Sequence, residues 1–157
     1  MPELSIENVQ SYPRPPMLRP AGAPIRVVFA GQVAAETEAA LAVLETHHAP
    51  TYYIPRADFS AELIAADGRS FCEWKGVARY WSLRMGDQTA PRAAWDYPRP
   101  SSAFAALVDH IAVYVADMDA CFVGSLKAEP QAGGFYGGWV TSNLRGTVKG
   151  SPGTEHW

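Results

Sequence analysis

GVARYWSLRMGDQTAPRAAWD, residues 76–96, is the stretch whose reading decides the fold. Val77, Trp81, Leu83 and Met85 fall on alternating positions, with Tyr80, Ser82 and Arg84 on the opposite side. That period of two is the mark of a half-buried strand, and Arg79 is its one exception. Gly86 and Asp87 supply a turn, and a second strand through Ala93 to Trp95 returns from it. Upstream, Thr51 to Ile54 reads as a strand stopped by Pro55, which cannot donate to a sheet ladder and restricts the residue before it. The β-branched run in IRVVFAG, residues 25–31, forms a strand ending at Gly31, after which QVAAE comes back. ETEAALAVLET, residues 36–46, is rich in Ala, Leu and Glu and spaces Ala40, Leu41 and Leu44 as a helix would. Downstream, a helix capped by Ser101 or Ser102 would carry Phe104, Leu107, Val108 and Ile111 on one stripe. A last strand pair, Ile111 to Val115 and Asp119 to Val123, is joined through residues 116–118. The sum is a mainly β domain, α+β at the margin: a small antiparallel sheet with one or two short helices, not a βαβ alternation.

A chain of 157 residues with 48% hydrophobic residues can bury one sizeable core, so a single domain is expected. A net charge of −3 offers no cationic surplus for a nucleic-acid backbone, which argues against nucleic acid as a partner. The opening MPELSIENVQ lacks the basic start and apolar run of a secretory signal. IAVYVADMDACFV is broken by Asp117 and Asp119 and is shorter than the roughly 20 residues a bilayer requires. The expectation is a cytoplasmic protein with no membrane partner. Cys72 and Cys121 are far apart and belong to no CxxC pair, so both are expected as reduced thiols.

Three segments follow from composition. Residues 1–24 contain SYPRPPMLRPAGAP, whose prolines favour an extended arm outside the core. Residues 25–124 form the folded domain. Residues 125–157 are glycine-rich yet carry Phe135, Tyr136, Trp139 and Trp157, so this extension is expected to pack on its own domain or on a second subunit. Tyr-Pro-Arg-Pro occurs at 12–15 and again at 97–100. No similarity surrounds the two copies, which favours re-use of a turn sequence over a repeat.

The run from Glu45 to Tyr97 contains ETHHAPTYYIPRADF, FCEWKGVARYW and AAWDYP, and the chain closes with GGWVTSNLRGTVKGSPGTEHW. These words resemble the bacterial domain of unknown function 427 family (DUF427) over most of residues 25–123, and the tail is similar to the extension on its longer members. The resemblance implies a small folded β-sheet architecture like the Mss4-like group, and it brings no settled activity. A nucleotidyltransferase-like label used for the family finds no Gly-Ser motif with an Asp-x-Asp metal pair here, and no GxxxxGK[ST] loop.

Glu45, Tyr52, Tyr53, Cys72, Trp74, Lys75, Trp81, Trp95 and Tyr97 match the family's recurring words. They mix rings with ionisable groups, as does a pocket that buries a flat ligand and orients it by a few polar groups. The ligand-binding set expected from this is Glu45, Tyr53, Trp74, Lys75, Trp81, Trp95 and Tyr97, for an unidentified small molecule and with no cofactor. Rings at strand centres also serve as core or as a dimer interface, and a homodimer is expected. Strand alternation through FCEWKG would separate Cys72 and Trp74 from Glu73 and Lys75, unless Gly76 bends the chain and brings Lys75 beside Glu45. For an enzyme, Cys72, Lys75 and Glu45 are the candidate catalytic groups. Cys72 as an inert, small apolar side chain is the simpler reading. Glu45, His47, His48 and Asp58 raise a metal site, but adjacent histidines point apart and no ligand spacing supports one, so no metal is expected.

Overall fold

The computed structural model describes residues 4–72, 74–133 and 136–154. Its backbone is a seven-stranded antiparallel sheet in which β2 (Met17–Pro20), β5 (Leu41–Leu44), β6 (Thr51–Pro55), β10 (His110–Val113), β9 (Gln88–Asp96), β8 (Gly76–Met85) and β7 (Glu62–Cys72) lie side by side in that order. A four-stranded antiparallel sheet, ordered β12 (Leu126–Lys127), β11 (Ala120–Val123), β3 (Ile25–Phe29) and β4 (Gln32–Thr37), covers one face of it. Two short pairs complete the fold. β1 (Glu7–Asn8) runs parallel to β15 (Leu144–Arg145), and β13 (Glu129–Pro130) runs antiparallel to β14 (Trp139–Val140). Helical turns among the described residues are of the 3-10 type, at Val9–Ser11, Arg56–Asp58, Ser102–Leu107 and Val115–Asp117.

Successive side chains of a strand point to opposite faces, and in the large sheet both faces are apolar. Leu44, Tyr52, Ile54, Trp81, Leu83, Ile111 and Val113 pack towards the small sheet with Ile25, Val27, Cys121 and Val123. Their strand neighbours Val43, Tyr53, Ala78, Trp95 and Ala112 point the other way, into a second cluster with Tyr97, Phe104 and Leu107. Interior strands buried on both faces read as continuous apolar runs rather than alternations.

That property accounts for the helix expected over residues 36–46. The segment is instead the end of β4, a turn and β5, since Thr37 Oγ1 accepts a hydrogen bond from the Ala39 amide at 2.9 Å and breaks the run. Leu41–Leu44 then pairs with β2 on one side and β6 on the other, and burial overrides the modest helix preference of Ala and Leu. The helix expected from Ser101 shrinks to a 3-10 turn kinked at Phe104. Phe104 and Leu107 are buried as expected, whereas Val108 is exposed and Ile111 belongs to β10. Ser101 caps nothing, because its hydroxyl donates to the Trp74 carbonyl. The last two strands exist but do not pair: β10 joins β6 and β9, while β11 crosses to the small sheet beside β3. The proline-rich beginning contributes β2 to the large sheet, and Val9 and Tyr12 lie in the core rather than outside it. Among the tail rings, Trp139 is fully buried against Tyr52, with centroids 5.2 Å apart. Phe135 and Trp157 lie outside the described residues.

Candidate functional site

The face of the large sheet turned away from the small sheet is incompletely covered, which leaves a hollow of about 490 Å³. Its floor is made by the alternate residues of four strands or strand ends: Tyr53 of β6, Tyr80 of β8, Trp95 of β9 and Tyr114 just after β10. Trp95 stacks at a tilt on Tyr114 with centroids 4.4 Å apart and meets Tyr53 edge-on at 6.3 Å. Tyr97 follows β9 and lies 6.3 Å from Tyr53. Burial, the largest influence on both, pushes the Tyr53 and Tyr97 phenols well above their ordinary range, so both stay protonated donors.

One wall is the connection between β7 and β8. The strand stops at Cys72, Trp74 and Lys75 form a turn, and Gly76 takes φ of +111°, a conformation that side chains rarely adopt. A Cβ on Gly76 would also stand 3.2 Å from the Arg99 carbonyl oxygen. The Ser101 amide donates to the Lys75 carbonyl at 3.0 Å, which pins the turn to the segment after Tyr97. Because of this bend, the alternation expected through FCEWKG does not operate, and Cys72, Trp74 and Lys75 line the hollow together with Glu45. Glu73 lies outside the described residues. Lys75 is only 9% exposed, its Nζ 5.6 Å from the ring centre of Tyr97 and 5.8 Å from that of Phe104.

The opposite wall comes from the segment after β5 and from the extension. Glu45 receives an Arg14 guanidinium at 3.4 Å on the rim. The His48 ring meets Tyr136 edge-on at 5.3 Å, and Gln131 Nε2 donates to His48 Nδ1 at 3.3 Å and to the Lys149 carbonyl at 2.8 Å. With Nδ1 accepting, the ring's proton sits on Nε2. Burial lowers the His48 pKa to about 4, helped by the charges of Lys149, Arg14, Lys75 and His47, so the ring is neutral at pH 7. The backbone of Gly137 lies so near Trp95 that a Cβ there would stand 2.3 Å from the indole, and one on Gly138 would stand 2.2 Å from Gln131 Oε1. Lys149 Nζ lies 5.8 Å from the Tyr136 ring centre.

Of the residues expected from sequence, Glu45, Tyr53, Cys72, Trp74, Lys75, Trp95 and Tyr97 line this one hollow. Trp81 does not. Its position on β8 is odd where Ala78 and Tyr80 are even, so it faces the small sheet, donating from Nε1 to Asp96 Oδ1 at 3.1 Å. Arg56 and Arg79 stack over it at 4.7 and 4.9 Å. Arg79, the exception on that face, donates to both Asp96 oxygens at 2.8 and 3.1 Å. Tyr52, the neighbour of Tyr53, turns away in the same manner. Sequence reasoning missed Tyr80 and Tyr114, although both share parity with buried alanines, Ala78 and Ala112. Arg14, His48 and Lys149 also line the hollow and lay outside the expected ligand-binding set. The two Tyr-Pro-Arg-Pro copies reach the hollow through different members, Arg14 from one and Tyr97 from the other. Among the described residues, no three His, Cys, Asp or Glu side chains converge in a way that could hold a metal ion.

An antiparallel β-domain with a ring-floored hollow on one face of its main sheet is the class of protein these features define. The chain belongs to the family described as Domain of unknown function (DUF427), which residues 17–124 match. Comparison with curated proteins gave no match. Lys75 and the floor lie within the matched residues, whereas Arg14, Tyr136, Gly137, Gly138 and Lys149 lie outside them. Among the described residues, no helix is long and apolar enough to cross a membrane.

Proposed function

We propose that the protein is a small-molecule-binding β-domain whose ligand seats in this hollow. Tyr53, Trp74, Trp95 and Tyr97 would contact the body of the ligand, and Lys75 and Glu45 would serve as its polar handles. The observation that carries this reading is the state of Lys75: a residue nine-tenths buried on the wall, whose ammonium has no hydrogen bond or ion pair among the described residues. Removing a cation from water is costly, and the two ring faces beside it replace only part of its hydration. A ligand group would supply the rest. Native mass spectrometry of protein purified without added ligand, compared with its denatured mass, tests the reading. A non-covalent adduct that is absent from a folded Lys75→Ala variant is expected; an adduct that survives the substitution removes Lys75 as a handle.

A homodimer is the second reading, favoured by Phe71 and Val77. These are cross-strand partners at the end of the β7–β8 hairpin, and they are 75% and 49% exposed. Sedimentation velocity of wild type and Phe71→Ser decides it: a dimer lost in the variant supports this interface, and a wild-type monomer at micromolar concentration ends it.

A further inference from the structure

We infer that the hollow selects organic anions, taking an aromatic or conjugated body that carries a carboxylate or phosphate group held between Lys75 and Lys149. This rests on the binding reading above and adds the chemical class of the ligand.

The charges that line the hollow are unequal in sign. Arg14, Lys75 and Lys149 are cations and Glu45 is the only acid among the described lining residues. Arg14 and Glu45 answer one another across 3.4 Å on the rim, which leaves two ammonium groups without a carboxylate among the described residues. The chain as a whole carries −3, so this local surplus of positive charge runs against the average of the molecule. Charges of one sign gathered in a concavity with low-dielectric walls raise the local concentration of the opposite sign.

A ring-lined hollow could in principle take a cation, since aromatic faces attract ammonium groups. Here two of the lining faces, those of Tyr97 and Tyr136, are already occupied from within. Lys75 sits over Tyr97 and Phe104, and Lys149 over Tyr136. The one carboxylate among the described lining residues, that of Glu45, is held by Arg14. A cationic ligand would meet like charge at each of these places, whereas an anion would meet two ammonium groups that have no hydrogen-bond acceptor among the described residues. His48 adds a neutral N–H to the same wall, because Gln131 occupies its Nδ1. The remaining surface is indole and phenol, suited to a flat apolar body. Lys149 comes from the extension, so part of the affinity for the anion is supplied by residues outside the family match.

Isothermal titration calorimetry with three matched probes tests the inference: 1-naphthoate, 1-naphthyl phosphate and the neutral 1-naphthamide. Both anions are expected to bind at least ten-fold more tightly than the amide, and Lys75→Met should bring the ratio to within about two-fold, with Lys149→Met intermediate. The order of the two anions tells a carboxylate source from a phosphate source, and either order supports the inference. An amide that binds as tightly as the anions overturns it while leaving the binding hollow intact. Failure of all three probes to bind refutes the binding reading itself. Should Lys75→Met not fold, raising salt from 0.05 to 0.5 M with the wild type serves instead: anion affinity falls and amide affinity holds. Equal salt response of the three probes overturns the inference.

Discussion

Replacing Arg79 with Met is expected to cost far more than replacing its partner Asp96 with Asn, although the two side chains share one interaction. The reason lies in their different exposure. The Asp96 side chain is 4% exposed and that of Arg79 is 37% exposed. In Arg79→Met the methionine keeps the apolar stem over the Trp81 ring, but the Asp96 carboxylate retains the Trp81 indole N–H as its one side-chain donor. Stranding a buried charge by removing its partner costs about 3–5 kcal/mol, and the surviving indole bond places this case near ~3 kcal/mol. In Asp96→Asn the side-chain oxygen still accepts from Trp81 and Arg79, and the guanidinium can turn to water, so the loss is that of charge-assisted bonding, ~1–2 kcal/mol. The double variant contains no stranded charge and should be more stable than Arg79→Met alone by ~1 kcal/mol or more. Urea unfolding at pH 7, with equal m-values across the set, measures all three. If Asp96→Asn proves as damaging as Arg79→Met, or the double variant is the least stable, the assignment of cost to the buried carboxylate is refuted.

Gly138→Ala should destabilise by ~1–3 kcal/mol, because the new Cβ would overlap Gln131 Oε1 and crowd the Ala49 carbonyl; a change below ~0.5 kcal/mol in urea unfolding would show that the extension yields freely. Cys72, half-buried on the hollow wall, should react with a disulfide reagent in the native state and be protected by bound 1-naphthoate. Cys121, fully buried and pushed up by burial to about 12, should react only on unfolding; two native-state thiols of equal rate would contradict this placement. His48 takes up its proton more readily unfolded, at about 6.5, than folded, at about 4, so its contribution is whole above pH 6.5 and is lost as pH falls towards 4. Urea stability measured at pH 7 and at pH 4.5 should therefore differ less in His48→Asn than in wild type, and an unchanged difference would assign the acid sensitivity elsewhere.

The β-hairpin from Gly76 to Asp96 was legible because one of its strand faces alternates cleanly around Trp81 and Leu83, and Gly86-Asp87 marks the turn. Leu41–Leu44 was not, because a strand buried on both faces loses the alternation and its Ala and Leu then imitate a helix. Most of the candidate hollow was legible as a density of rings and ionisable groups between Glu45 and Tyr97, without any knowledge of which face each occupied. Trp81 shows the limit of that signal. It has the same chemistry as Trp95, and only register decides that one lies beneath the sheet and the other above it. Arg14 and Lys149 could not be placed from their sequence neighbours, since what brings them to the hollow is β2 pairing with β5 and the bond from the Lys149 amide to the His47 carbonyl at 2.7 Å.

The two walls of the hollow come from widely separated parts of the chain, and this has a kinetic consequence. Contacts distant in sequence form only after long loops have closed, which makes such topologies slow to fold. During synthesis the floor residues Tyr53, Tyr80 and Trp95 are made before Gly137 and Lys149. Until the extension docks, the rings that it partly covers are open to chaperones or to other unfinished copies of the chain.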